Sequence, residues 1–139
     1  MEYNIRPLNN SDYTNYLQLI NQFRTTTFTE EEYNRTLQQI HMHSTIWVLE
    51  DKNELIGTIT ILYEYKFIRN IVKLAHVEDV CIDQRYRKKG LGTLLLKFAI
   101  SEAKKKECYK IILDCDDSLE PFYNKSGMIK NGIQMVKYF

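Results

Sequence analysis

The sequence predicts a mixed α/β domain, antiparallel in its front half and closed by a β-α-β unit. Three observations point there. Residues 46–49, 55–65 and 72–82 are rich in β-branched and aromatic side chains and are separated by polar turns. Behind them, Leu91, Leu94, Leu95, Phe98, Ala99 and Ala103 recur at helical spacing, with Lys97, Ser101, Lys104 and Lys105 opposite. That helix is followed at once by another β-former run, Ile111-Ile112-Leu113.

Each element has its own local reason. Residues 3–6 alternate weakly and read as a short strand closed by Pro7. Ser11-Asp12 resembles a helix start, with Tyr13, Tyr16, Leu17 and Ile20 behind it at helical spacing. Thr29 and Glu32 form a capping-box pattern, and Tyr33, Leu37 and Ile40 supply the apolar face of a second helix. Asp51-Lys52-Asn53-Glu54 is a polar turn between two strands, so a hairpin is expected. The third strand covers residues 72–82, and a basic turn over residues 85–92 leads into the long helix. Residues 109–115 form the next strand, with Ile111-Ile112-Leu113 as its buried centre. Pro121 suits the first turn of a short helix, which Gly127 would end. A last strand is expected within residues 128–139. The result is a central mixed sheet flanked by about four helices.

Composition excludes several classes. At 139 residues the chain fits a single domain over 1–139. With 44% hydrophobic and 27% charged residues, it is neither disordered nor a coiled coil. A net charge of +1 argues against a protein devoted to nucleic acid. No apolar run is long enough to span a membrane, and Met1-Glu2-Tyr3-Asn4 does not open a signal peptide. Cys81, Cys108 and Cys115 lack any C-x-x-C spacing and read as reduced core thiols of a cytoplasmic protein. Trp47 lies in a strand pattern as a core residue. His41 and His43 stand at i,i+2 and share no helix face, so no metal is expected.

Two segments carry chemistry. Arg87-Lys88-Lys89-Gly90-Leu91-Gly92 lies between a strand and a helix. Glycines permit close backbone approach and positive φ, and a helix N-terminus offers unpaired N–H groups to a pyrophosphate. The same residues also fit an ordinary solvated turn. His76-Val77-Glu78-Asp79-Val80 places two acids inside a strand. Neighbours in a strand point to opposite faces, so one acid faces inward unless the strand bulges. An inward acid needs a cationic or hydroxyl-rich ligand, or a buried base; the alternative is an edge strand with both acids in water. Asp114 ends the next strand, where α/β units tend to face a ligand. Asp116 and Asp117 read as helix caps, Phe122 as core, and Tyr123 as core or catalytic.

A strand followed by R-x-x-G-x-G opening a helix resembles the acetyl-CoA signature of the GNAT superfamily of N-acetyltransferases. Phe122-Tyr123-x-x-x-Gly127 resembles that superfamily's late helix. More specifically, H-V-E-D-V at residues 76–80 and C-Y-K-I-I-L-D-C at residues 108–115 are similar to the glucosamine-6-phosphate N-acetyltransferases. The likeness is dense over residues 76–135, and the order of elements fits the whole chain.

That resemblance implies acetyl-CoA as donor, D-glucosamine 6-phosphate as acceptor, and a product on the route to UDP-N-acetylglucosamine. It implies no metal. The backbone of Val80, Cys81 and Ile82 would hold the pantetheine arm. Arg87, Lys88, Lys89, Gly90, Leu91, Gly92 and Thr93 would hold the pyrophosphate, with Asn124 and Lys125 nearby. Glu78, Asp79 and Asp114 would lie at the amino sugar, Tyr109 and Lys110 near its phosphate, and Tyr123 at the sulfur. The family is homodimeric, and the segment with Lys66 and Arg69 would complete the partner's sugar site. Thr25 matches a substrate-contacting threonine. Where relatives commonly carry a C-terminal arginine, this chain has Lys137, a point charge without a bidentate fork.

The implied reaction is direct acyl transfer in a ternary complex. An amine with a pKa of about 8 needs only a weak base, which Asp114 or Glu78 would supply, directly or through water. Tyr123 would protonate the leaving sulfur. No cysteine has an evident histidine–carboxylate partner arrangement, so no acyl-cysteine is expected. Two other readings stay open at this point: the same fold acting on a polyamine or protein amine, and a non-catalytic acetyl-CoA sensor.

Overall fold

A computed structural model describes residues 2–139. Five strands lie in chain order: β1 (Asn4–Pro7), β2 (Ser44–Asp51), β3 (Glu54–Lys66), β4 (Val72–Ile82) and β5 (Ile111–Leu113). The first four pair antiparallel, and β5 joins β4 in parallel. Four α-helices accompany them: α1 (Tyr13–Asn21), α2 (Glu30–Ile40), α3 (Leu91–Lys105) and α4 (Glu120–Asn124). The fold is therefore the expected mixed sheet with an antiparallel front and a β4-α3-β5 crossover.

The sheet separates two cores. On one face α3 lays Leu91, Leu95, Ala99 and Ala103 against Ile59, Ile61, Ala75 and Val77. On the other, α1 and α2 bring Tyr16, Leu19, Tyr33 and Leu37 onto Ile46, Val48 and Cys81. Alternation along the strands makes this possible, because successive side chains feed opposite faces. Lys52 and Asn53 both take positive φ between β2 and β3, the geometry that tight hairpins favour. Thr29 accepts from the Glu32 backbone N–H and Glu32 returns a bond to Thr29, so the expected capping box starts α2.

Several expectations are corrected. Asp12 stands at the N-cap position of α1 as expected but makes no cap bond there; the side-chain cap lies one turn earlier, at Asn9. Asn9 and Asp12 form a capping box over a short 3-10 turn that runs into α1, with Asp12 held by Arg6 at 2.8 Å. Leu94 is exposed and Leu96 is buried, so the apolar stripe of α3 is rotated slightly. Ile111, Ile112 and Leu113 are half-buried rather than buried, because β5 is the edge of the sheet. Cys115 is exposed, while Cys81 is buried and Cys108 half-buried. Trp47 is half-buried and meets Phe98 edge to face at 4.8 Å. Asp116 stands at an N-cap position but makes no side-chain cap bond.

The largest correction concerns the C-terminus. Among the described residues, no strand follows β5. Ile129, Ile133, Met135, Val136, Tyr138 and Phe139 all lie exposed. The segment pairs with neither edge strand of the sheet, β1 or β5.

Candidate active site

The acidic pair sits on a β-bulge. Thr60 pairs with Glu78 and Thr58 with Cys81, so Asp79 and Val80 together oppose a single residue of β3. Asp79 takes φ 51° there. The bulge cancels the alternation, and both Glu78 and Asp79 are exposed. The structure thus takes the bulged alternative, with both acids in water. Asp79 lines a cavity of about 450 Å³ with Tyr16, Arg24, Thr26 and Phe28 between α1, α2 and the sheet. Thr25 is exposed beside that cavity and does not line it.

The bulge falls where the sheet splays. β5 pairs with β4 only over Ala75, His76 and Val77. From Glu78 to Ile82, among the described residues, β4 has no strand on that side. This leaves an open backbone edge over Val80, Cys81 and Ile82. Ile82 already gives its carbonyl oxygen to Arg87 Nε at 3.2 Å.

At the end of that edge stands the N-terminus of α3. Gly90 is its N-cap with φ 79°, and no side chain caps the helix. A Cβ at Gly90 would meet nothing within 4 Å, so the ground in front of the helix is open. The first N–H groups of Leu91, Gly92 and Thr93 have no intrahelical acceptor. Lys88, also at positive φ, and Lys89 are exposed beside them, with Lys89 Nζ 5.2 Å from the Tyr86 ring centre. Open N–H donors, positive charge and an unpaired strand edge fit a pyrophosphate linked to an amide-bearing arm.

Across the splay lies α4. Phe122 rests against Gly92, whose Cβ would stand 3.4 Å from the ring, and packs edge to face on Tyr123 at 4.9 Å. Tyr123 is half-buried; burial, with the Cys115 thiol nearby, pushes its phenol up. Asn124 and Lys125 are exposed next to it.

Asp114 follows β5 and comes close to Glu78 through an intermediary that the sequence motif contained without declaring. His76 Nε2 is 3.1 Å from Glu78 Oε1 and 3.6 Å from Asp114 Oδ2. Its Nδ1 is 3.2 Å from Glu64 Oε1. Asp114 also accepts from Gln134 Nε2 at 3.1 Å. The i,i+2 spacing of His76 and Glu78 on one strand is the signal that could have revealed this group.

The cations form a second group. Arg69 stacks 4.8 Å over the Tyr109 ring, and Lys110 Nζ is 5.9 Å from it. Lys66 approaches Glu64 at 3.7 Å. Tyr109 bonds Lys73 at the start of the β4–β5 pair, whereas Asp114 lies beyond its end. Tyr109 lies five positions before Asp114 in the chain. Arg69 and Lys110 thus gather at the opposite end of β5 from Asp114, while Lys66 approaches Glu64, the carboxylate that also meets His76. Lys137 is exposed in the C-terminal segment.

All three thiols are held protonated. Burial raises Cys81, Cys108 and Cys115, and the carboxylates around Cys115 raise it further.

Comparison with known proteins matches this geometry. The acetyltransferase (GNAT) family profile matches residues 8–128. The chain belongs to this acetyltransferase family. A glucosamine 6-phosphate N-acetyltransferase of Arabidopsis thaliana is 37% identical, over 99% of this chain and 97% of its own length. One from Dictyostelium discoideum is 32% identical over 96% of this chain and 88% of its own. The crystal structure of the Arabidopsis enzyme superposes with a TM-score of 0.93, covering 100% of this chain and 99% of that one. As a GNAT acetyltransferase, the protein uses acetyl-CoA. No helix among the described residues is long and apolar enough to cross a membrane.

Proposed function

We propose that this chain acts as one catalytic domain that transfers the acetyl group of acetyl-CoA to the amine of D-glucosamine 6-phosphate. The observation that carries the reading is the exposed acid pair on the β4 bulge, facing Asp114 across the splay. It is supported by full-length likeness to relatives that bear this activity in their names. The product would be N-acetyl-D-glucosamine 6-phosphate, a precursor for UDP-N-acetylglucosamine.

Acetyl-CoA supplies the activated thioester, and this chain's residues do the rest. The uncapped N–H groups of Leu91, Gly92 and Thr93, with Arg87, Lys88, Lys89 and Gly90, hold the diphosphate. The free edge of Val80, Cys81 and Ile82 pairs with the amide arm, with Asn124 and Lys125 at its side. Glu78 and Asp79 orient the amino sugar, with Thr25 at the entrance between the first two helices. Asp114 or Glu78 accepts the ammonium proton, work worth about 10²–10⁴-fold. Tyr123, whose phenol stays protonated, donates to the sulfur as it leaves. The thiols, raised by burial, support direct attack without an acyl-cysteine.

The site is shared between two copies in this reading. A homodimer supplies the cations Lys66, Arg69 and Lys110, with Tyr109 and Lys137, from the opposite subunit. The exposed apolar residues after Gly127 favour such an interface. The free thiols suit the cytoplasm.

Incubating the protein with acetyl-CoA and glucosamine 6-phosphate, and following the sugar by proton NMR, tests the assignment. An acetamido signal on C2 is expected. Unchanged amino sugar, with acetyl-CoA binding demonstrated, would leave a family member acting on another amine.

A further inference from the structure

We propose that His76 is a positioning residue for acetyl transfer, clamped by Glu64 and holding the carboxylates of Glu78 and Asp114 in one arrangement. The inference rests on the function proposed above.

The placement follows from register. Leu62, His76 and Ile112 lie abreast on β3, β4 and β5. Glu64, Glu78 and Asp114 each lie two residues further along their own strand or its continuation, so all share the face of His76. That face is the one α1 and α2 cover elsewhere; Ala75 and Val77, which flank His76, point into the α3 core.

The chemistry is asymmetric. Ionised carboxylates only accept hydrogen bonds, so whichever ring nitrogen bonds one must carry a proton. Nδ1 is committed to Glu64 at 3.2 Å. Nε2 is buried, lying between Glu78 at 3.1 Å and Asp114 at 3.6 Å and aligned with neither. One buried ring nitrogen thus sits within ion-pair distance of two acids whose mutual repulsion would otherwise separate them. Glu78 and Asp114 are themselves about half exposed, and little else holds them: Gln134 reaches Asp114 from the other side at 3.1 Å. Fixing a reacting group matters because a displacement of about 1 Å can cost on the order of 10²-fold in rate.

A pair of conservative variants separates positioning from a purely structural tie. The amide of asparagine overlays Nδ1 and preserves the bond to Glu64. The amide of glutamine overlays Nε2 and preserves the donor to Glu78 and Asp114. With glucosamine 6-phosphate and acetyl-CoA, His76→Asn is expected to lower kcat by about 10²-fold. His76→Gln is expected to stay within about tenfold of the parent, and both to keep the acetyl-CoA KM within about twofold. The reverse order, or two variants like the parent, would overturn the proposal. A second measurement needs no substrate. In protein labelled with ¹⁵N-histidine, Glu78→Gln and Asp114→Asn are each expected to shift the His76 ring nitrogens, and unmoved resonances would overturn the proposal. Shifted resonances in a protein that does not acetylate the phosphosugar would instead refute the substrate assignment while supporting the clamp.

Discussion

The rings of Phe122 and Tyr123 meet edge to face, 4.9 Å between centres and 79° between planes. Phe122 in turn rests on the glycine surface of α3 at Gly92. A five-residue helix is too short to hold a side chain by itself, so this contact fixes the Tyr123 hydroxyl. Tyr123→Phe keeps the packing and removes only the donor. It is expected to lower kcat by about 10²-fold with little change in either KM, as read in steady-state kinetics.

Gly90 links conformation to cofactor binding. Its φ of 79° is strained for any side chain, but an added Cβ would touch nothing. Gly90→Ala should therefore cost only about 1–2 kcal/mol of stability and leave the fold intact. The acetyl-CoA KM should rise by about tenfold, equivalent to about 1.4 kcal/mol, because the methyl group stands where the diphosphate approaches.

Arg69 belongs to the group of cations gathered at Tyr109. Arg69→Ala is expected to raise the KM for glucosamine 6-phosphate by about 10- to 100-fold, the worth of a charge-assisted hydrogen bond. The KM for unphosphorylated glucosamine should not move. Equal effects on both sugars would separate Arg69 from the phosphate. In the same account, deleting residues 128–139 should shift the sedimenting species from dimer to monomer.

Acid stability depends on Asp12. Burial raises its carboxyl, but the Arg6 guanidinium at 2.8 Å and the Asn9 backbone N–H outweigh burial and hold it below the usual carboxylate range. Arg85 and burial act in the same opposed way on Asp83, again with a net lowering. A carboxyl lowered by folding contributes stability above its unfolded value of about 3.9 and loses it as pH falls through the folded value. Unfolding transitions should therefore weaken steeply below about pH 4. Asp12→Asn should cost about 2 kcal/mol at neutral pH and progressively less below about pH 3.9, where the unfolded carboxyl takes up its proton.

Much of this was legible in the sequence because local rules and tertiary structure agree. The Thr29–Glu32 box, the 72–82 strand and the glycine-bearing turn before α3 stand where their residues placed them. The misreadings share one cause. Alternation could not show that Asp79 takes a positive φ, because a bulge is defined by the partner strand. His76 gained its carboxylate neighbours only through the lateral register of three strands. The expected final strand does not form, and its apolar residues lie exposed, because residue type shows β-propensity but not whether a segment pairs with a sheet edge.

The central claim is that the acid bulge serves an amino sugar that carries a phosphate. Free-thiol release from acetyl-CoA, measured with glucosamine 6-phosphate, glucosamine and spermidine in parallel, tests it most directly. The account predicts strong turnover with the phosphosugar and a kcat/KM lower by at least about 10²-fold for the other two. Equal or better turnover of glucosamine or spermidine would contradict it.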